Sequence, residues 1–330
     1  MKRLALLAAC GAFWFMFGAA SPAAADNGPH VLGAGVVADG CASCHRTHTA
    51  KAGNLLKDTQ PGLCYTCHGT TGTGAKTDVQ SGLGYSAETR GASAGALRGG
   101  GFEFALIDSG FPTGQSDKTV IPNVSSAVSG VVPVKAVSSA TTSSHSVDGT
   151  STAAWGNGPI SATANAGAAI KLSCGSCHDP HGNGNYRTLK PLPSESGATV
   201  AIPIADGATK VYTTTNYWKV EDQNAPGFIL NASKWCSTCH TRYLATTTAG
   251  LPQDMSRVDS GDAIYQYRHT SDKTTQGARG CIQCHVSHGS NASMGTLSGS
   301  FGNPDGTPAP GNSKLLRIDN RGTCLMCHKK

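Results

Sequence analysis

Six times in the chain two cysteines three positions apart are followed at once by a histidine: CASCH (Cys41, Cys44, His45), CYTCH (Cys64, Cys67, His68), CGSCH (Cys174, Cys177, His178), CSTCH (Cys236, Cys239, His240), CIQCH (Cys281, Cys284, His285) and CLMCH (Cys324, Cys327, His328). Two thiols about one turn apart can reach the two vinyl groups of one porphyrin as thioethers, and the histidine after them is aimed at the iron. A tetrahedral zinc site is the competing chemistry. Zinc is usually held by two separated ligand pairs and does not require a histidine in the same place every time. Six identical words read as six covalently attached c-type haems.

The histidine count extends the reading. Twelve histidines are present; six close the words, and the other six are His30, His48, His145, His181, His269 and His288. Six irons need six second axial ligands, so the equality predicts bis-histidine, six-coordinate haems, a ligation that lowers potential relative to His/Met. His48, His181 and His288 each lie three residues after a word histidine, and His30, His145 and His269 lie upstream of those same words. The chain is therefore three copies of one unit, His then CXXCHXXH then CXXCH, at 30–68, 145–240 and 269–328. A ligand rule follows from the repeat. The post-word histidine of each unit serves the first haem of the preceding unit: His181 the Cys41/Cys44 haem, His288 the Cys174/Cys177 haem. His30, His145 and His269 serve the second haems. His48 has no preceding unit in its own chain, which assigns it to the Cys281/Cys284 haem of another subunit. Such a front-to-back contact is heterologous and propagates as a filament when it does not close.

The elements that must position these groups are sparse. Charged residues are only 14% and aromatics 6%, while glycine numbers 42, so the chain is poor in the large side chains that fill a core. All cysteines but Cys10 belong to the words, so none is left for a disulfide framework. The porphyrins themselves must supply the core, with thioethers as cross-links. The expected fold is mostly irregular and loop-rich, with short helices carrying the words and few strands. Between Thr70 and Lys171 glycine, serine and threonine dominate; Phe102, Phe104, Ile107, Val131, Val132 and Val134 are apolar anchors that make 69–144 read as a wrapping insert rather than a linker. At the front, Lys2 and Arg3 precede an apolar run and the small residues Ala23 and Ala25, the pattern of a secretory signal peptide over 1–25. The remainder, 26–330, reads as one hexahaem domain of three dihaem units.

Taken together, CASCHRTH with LCYTCH, CGSCHDPHG, the Trp-preceded WCSTCH, CIQCHVSH and the terminal CLMCHKK resemble the extracellular multihaem cytochromes whose subunits polymerise as conductive filaments, of the hexahaem outer-surface cytochrome S type. The likeness spans nearly the whole chain after the leader, although the intervening loops do not match. It implies a continuous stack of haems through a loop-rich subunit, and completion of one subunit's haem by a histidine of the next. The expected partners are identical subunits, other redox cytochromes and extracellular electron acceptors.

The function class that emerges is low-potential electron transfer by a secreted protein at the cell surface or beyond it, an electron carrier and not an enzyme. A soluble periplasmic shuttle carries the same words but satisfies every iron within one chain. A multihaem reductase needs an open iron, against which stand the ligand count and the lack of a Cys-X-X-Cys-Lys word. The formal charge of +6 does not argue for nucleic acid. With the leader removed, haem propionates and ferric centres bring the total to roughly −2 oxidised and −8 reduced. No later segment carries the ~20 continuous apolar residues of a membrane span. The sequons at Asn123, Asn231 and Asn291 read as chance matches in a Ser/Thr-rich chain.

Overall fold

In the computed structural model the described residues are 30, 40–73, 75, 77–83, 85–86, 89–90, 97, 99–106, 138–159, 165–204, 226–244, 256–264, 267–268, 280–294 and 302–317. The expected leader, His269, the sixth word, Asn123, Ile107, Val131, Val132 and Val134 lie outside them.

Regular structure is scarce and is concentrated where the words are. A 3-10 turn, Gly40–Ser43, opens the first word. Helix α1, Gln60–His68, carries the second; Pro61 sits in its first turn, where a missing N–H costs nothing, and the Gly69 N–H closes on the Tyr65 carbonyl. Helix α2, Cys174–Cys177, is the third word itself, started by Ser173, whose N–H is met by the Ser176 hydroxyl at 3.0 Å. Helix α3, Pro226–Cys236, ends on the first cysteine of the fourth word, and α4, Cys281–Cys284, is the fifth.

These helices pack in two pairs, α1 with α2 and α3 with α4. Gln60 Oε1 accepts the Gly175 N–H at 2.6 Å, and the Ser233 hydroxyl accepts the Cys281 N–H at 3.2 Å, so each pair is joined by a side chain capping its partner's first turn. The strands form five two-stranded antiparallel ladders among the described residues. Two of them bring distant segments together: Gly289–Ser290 pairs with Ser143–Ser144, and Phe104–Ala105 with Ser139–Ala140.

Among the described residues the apolar core is broken into small patches, Ala105 with Val286 and Leu315, and Ala292 with Met294 and Leu316. Fully buried besides are the serines Ser233, Ser260, Ser290 and Ser313. Ser313 bonds Thr142 at 2.9 Å and Ser143 at 2.6 Å, and the Ser290 hydroxyl donates to the Leu316 carbonyl at 2.5 Å. Cohesion here comes from satisfied polar contacts rather than large side chains. Of the insert's anchors, Phe102 is partly buried against His288 with ring centroids 4.5 Å apart, whereas Phe104 is exposed. Among the described residues no helix is long and apolar enough to cross a membrane.

Candidate functional site: paired histidines along a line of cysteines

Four pairs of histidine rings face one another at nearly one distance. His45 and His181 lie 6.2 Å apart between ring centroids, His30 and His68 6.1 Å, His178 and His288 6.3 Å, and His145 and His240 6.2 Å. Each pair joins a word histidine to the spare histidine that the repeat rule sets beside it. The spacing has a chemical meaning. Two metal–imidazole bonds of about 2.0–2.1 Å, each extended by about 1.1 Å from nitrogen to ring centre, require roughly 6.3 Å. Stacked imidazoles in mutual contact would lie much closer.

In seven of these eight histidines, and in the word histidine His285, the other ring nitrogen is occupied by a neutral oxygen. Nδ1 meets the carbonyl of Asn54 in His45 (2.9 Å), Arg187 in His178 (2.8 Å), Trp155 in His240 (2.6 Å), Pro180 in His30 (2.9 Å), Ser287 in His145 (2.7 Å), Gly100 in His288 (3.2 Å) and Lys314 in His285 (2.9 Å). In His68 it meets the Thr77 hydroxyl at 3.3 Å. An imidazole whose Nδ1–H is donated to a fixed oxygen presents the Nε2 lone pair outward, the tautomer a metal needs. His181 differs, with the Asp179 carboxylate 3.5 Å from its Nδ1. Burial pushes His68 and His240 down to about 4 and His288 down to about 3, and lowers His145 and His178 as well, so these rings are neutral at physiological pH and free to ligate.

One short segment serves three sites. His178 faces His288, the Pro180 carbonyl holds His30, and His181 faces His45. The equivalent segment of the third unit repeats the pattern: the Ser287 carbonyl holds His145, and His288 faces His178. His48 is exposed at the front of the described chain.

The cysteines run in sequence order between these pairs. Cys44 lies near Cys64 and Cys67, Cys64 beside Cys174, Cys177 near Cys239, and Cys236 beside Cys281. No disulfide joins any of the ten described cysteines. The residues fit a c-type haem at each of the five described words: two cysteines, a word histidine whose Nδ1 meets an oxygen, and, for four of them, an opposed imidazole at the separation two iron bonds demand.

The fourth word is the most tightly framed. Asn157 donates from Nδ2 to the Cys239 carbonyl at 2.7 Å, Trp155 holds His240, and the Arg242 N–H meets the Gly156 carbonyl at 2.8 Å. Gly156 has φ +72°, and a Cβ there would enter the Tyr243 ring, which lies parallel to His240. Gly156→Ala is expected to cost about 1–3 kcal/mol through overpacking and backbone strain, measured as a fall in urea midpoint at unchanged slope. Asn291 cannot carry a glycan in this fold, since its side chain is 3% exposed and its Nδ2 donates to the Ala105 carbonyl and to Ser139 Oγ.

Residues 34–73, which hold the first two words, match the family model of the doubled CXXCH motif. The match supports a multihaem c-type cytochrome, a class whose work is electron transfer. No curated protein matches the chain, nor does any solved structure.

Proposed function

We propose that the protein carries electrons over long distances outside the cell through six bis-histidine c-type haems, as the repeating subunit of a conductive cytochrome filament. The observation that carries this reading is the set of four imidazole pairs at 6.1–6.3 Å, with word and spare histidines opposed in each. A haem so ligated supplies an iron that cycles between ferric and ferrous without changing its ligands. The chain's part is to hold both imidazoles neutral and fixed, to leave no ligand position for a substrate, and to bring each word's cysteines against those of the next. The cysteine contacts from the first to the fifth word support a single line of haems in sequence order, with Cys324, Cys327 and His328 holding the sixth, opposite His269.

The head-to-tail step rests on the same repeat. Segments 178–181 and 285–288 each reach back to the unit before them, and Arg46–His48 is the corresponding exposed segment of the first unit. A second copy of the chain offers it a third unit to reach, with His48 as ligand to the Cys281/Cys284 haem and the filament growing by repetition. Other redox cytochromes and extracellular acceptors are the partners at its ends, and a leader at 1–25 is the export signal.

The test is electron microscopy of material sheared from cells, for wild type and His48→Ala. Filaments are expected from the wild type, and from the variant unpolymerised subunits with one high-spin haem and five low-spin ones. Filaments with wild-type spectra in the variant would transfer the junction to another residue. Monomers alone from the wild type would make the protein a soluble shuttle.

A further inference from the structure

The first word of each unit is met by a turn of unusual backbone. Asn54 and Leu55 both have φ 58°, Arg187 and Thr188 have 52° and 56°, and Lys314 and Leu315 have 53° and 60°. Each left-handed non-glycine residue costs roughly 1–2 kcal/mol, and β-branched threonine is least suited to it. The same strained pair at the same place in three units needs a structure that holds it.

Four contacts, three of them wholly main-chain, recur there in every copy. The word histidine's Nδ1 meets the carbonyl of the first turn residue, at 2.9 Å (His45 to Asn54), 2.8 Å (His178 to Arg187) and 2.9 Å (His285 to Lys314). The residue after the histidine donates its N–H to the second turn carbonyl: Arg46 to Leu55 at 2.7 Å, Asp179 to Thr188 at 2.8 Å, Val286 to Leu315 at 2.9 Å. The leucine that follows bridges to the histidine backbone, as Leu56 to His45, Leu189 to His178 and Leu316 to His285. Last comes a cation, Lys57, Lys190 or Arg317, whose N–H closes on the carbonyl of the word's second cysteine at 3.0, 2.8 and 3.0 Å. The second words of the first two units are held differently, His68 by the Thr77 hydroxyl and His240 by the Trp155 carbonyl.

We propose that this four-residue clasp, 54–57, 187–190 and 314–317, is the device that orients and tunes the iron ligand of the first haem in each unit. The proposal rests on the word histidines being iron ligands. The left-handed pair turns a carbonyl back toward the imidazole, and the N–H contacts on either side pin that carbonyl to the word itself. Donation from Nδ1 fixes the tautomer and ring plane and makes Nε2 more basic, which favours the ferric state. The first haems of the three units thus share one ligand setting, and the second haems of the first two units have others.

Leu55→Pro and Leu55→Gly, made in the full-length haem-loaded protein, test the clasp. Proline is fixed near φ −65° and cannot form the turn, whereas glycine takes positive φ freely. With Leu55→Gly, six haems and wild-type spectra and redox titration are expected. Leu55→Pro should move about one sixth of the reductive amplitude to higher potential with an altered low-spin resonance for the His45 haem, or leave five haems attached instead of six. A Leu55→Pro protein identical to wild type would overturn the clasp, as would equal shifts in both variants. A high-spin ferric signal in a wild-type filament would count against the ligation reading instead, so the two failures are distinguishable.

Discussion

His288→Ala is expected to leave all six haems covalently attached while one of them, at the third word, becomes five-coordinate and high-spin. His288 faces His178 at 6.3 Å, its Nδ1 rests on the Gly100 carbonyl at 3.2 Å, and Phe102 stacks on it at 4.5 Å. The other spare histidines around the third word are committed elsewhere: His30 faces His68, His181 faces His45 and His145 faces His240. The thioethers are untouched, so haem content stays at six. The lost imidazole should raise that haem's potential by a sizeable part of the ~0.8 V that axial ligation commands, and carbon monoxide should bind one haem per chain after reduction. Because the third word lies between the second and fourth, the variant should also interrupt conduction along the line. An unchanged redox titration would show that His288 is not a ligand.

Arg242→Ala is expected to be the most destabilising single substitution outside the haem words. Arg242 and Asp262 form an ion pair at 3.2 Å with side chains 2% and 1% exposed. The guanidinium also donates to the Asn157 carbonyl at 3.2 Å, to Asn165 Oδ1 at 2.8 Å and to the Asn165 carbonyl at 3.1 Å, tying the frame around His240 to the 256–264 segment. Removing one partner of a buried pair leaves an uncompensated charge and costs about 3–5 kcal/mol. The pH dependence has a definite sign. Burial holds the Asp262 carboxyl above its usual range, against the lowering effects of Tyr243 and Arg242. Without Arg242 it lies higher still, so the folded variant binds a proton that the unfolded chain does not. The variant's stability is therefore greatest below the ordinary carboxylate range and falls as pH rises through the elevated Asp262 value. Urea unfolding at several pH values should show the gap from wild type narrowing toward acid.

The two variants also mark what was legible in the amino acids. The place of His288 opposite His178 follows from counting, because identical words and an equal number of spare histidines pose the ligand problem and the repeat pairs these two. The scarcity of large apolar residues likewise announces a loop-rich chain with short helices carrying the words, as α1 to α4 do among the described residues. Arg242 and Asp262 carry no such signal, since nothing in TRYL or GDAI distinguishes a buried ion pair from two surface charges. The clasp was hidden for another reason. NLLK, RTLK and KLLR share only a leucine and a following cation, and the interval from histidine to turn is nine residues in two units and twenty-nine in the third. Its defining property is backbone conformation, held by main-chain bonds that place almost no demand on side-chain type. Phe104 misled differently: an aromatic in a Gly/Ser-rich stretch reads as an anchor, yet it alternates outward from the buried Ala105 beside it.

Electron paramagnetic resonance of the oxidised protein, with haem quantified on the same sample, tests the central claim most directly, that paired imidazoles ligate every iron. The ring planes are 8° apart for His45 and His181, and 68°, 61° and 53° for the other three pairs. Near-parallel imidazoles give a rhombic low-spin signal and strongly crossed ones a highly anisotropic one. The protein, in the polymer proposed for it, is expected to hold six haems per chain, all low-spin, with a rhombic component from the first word and anisotropic components from the second, third and fourth. Fewer than six haems, or a high-spin ferric signal, would contradict it.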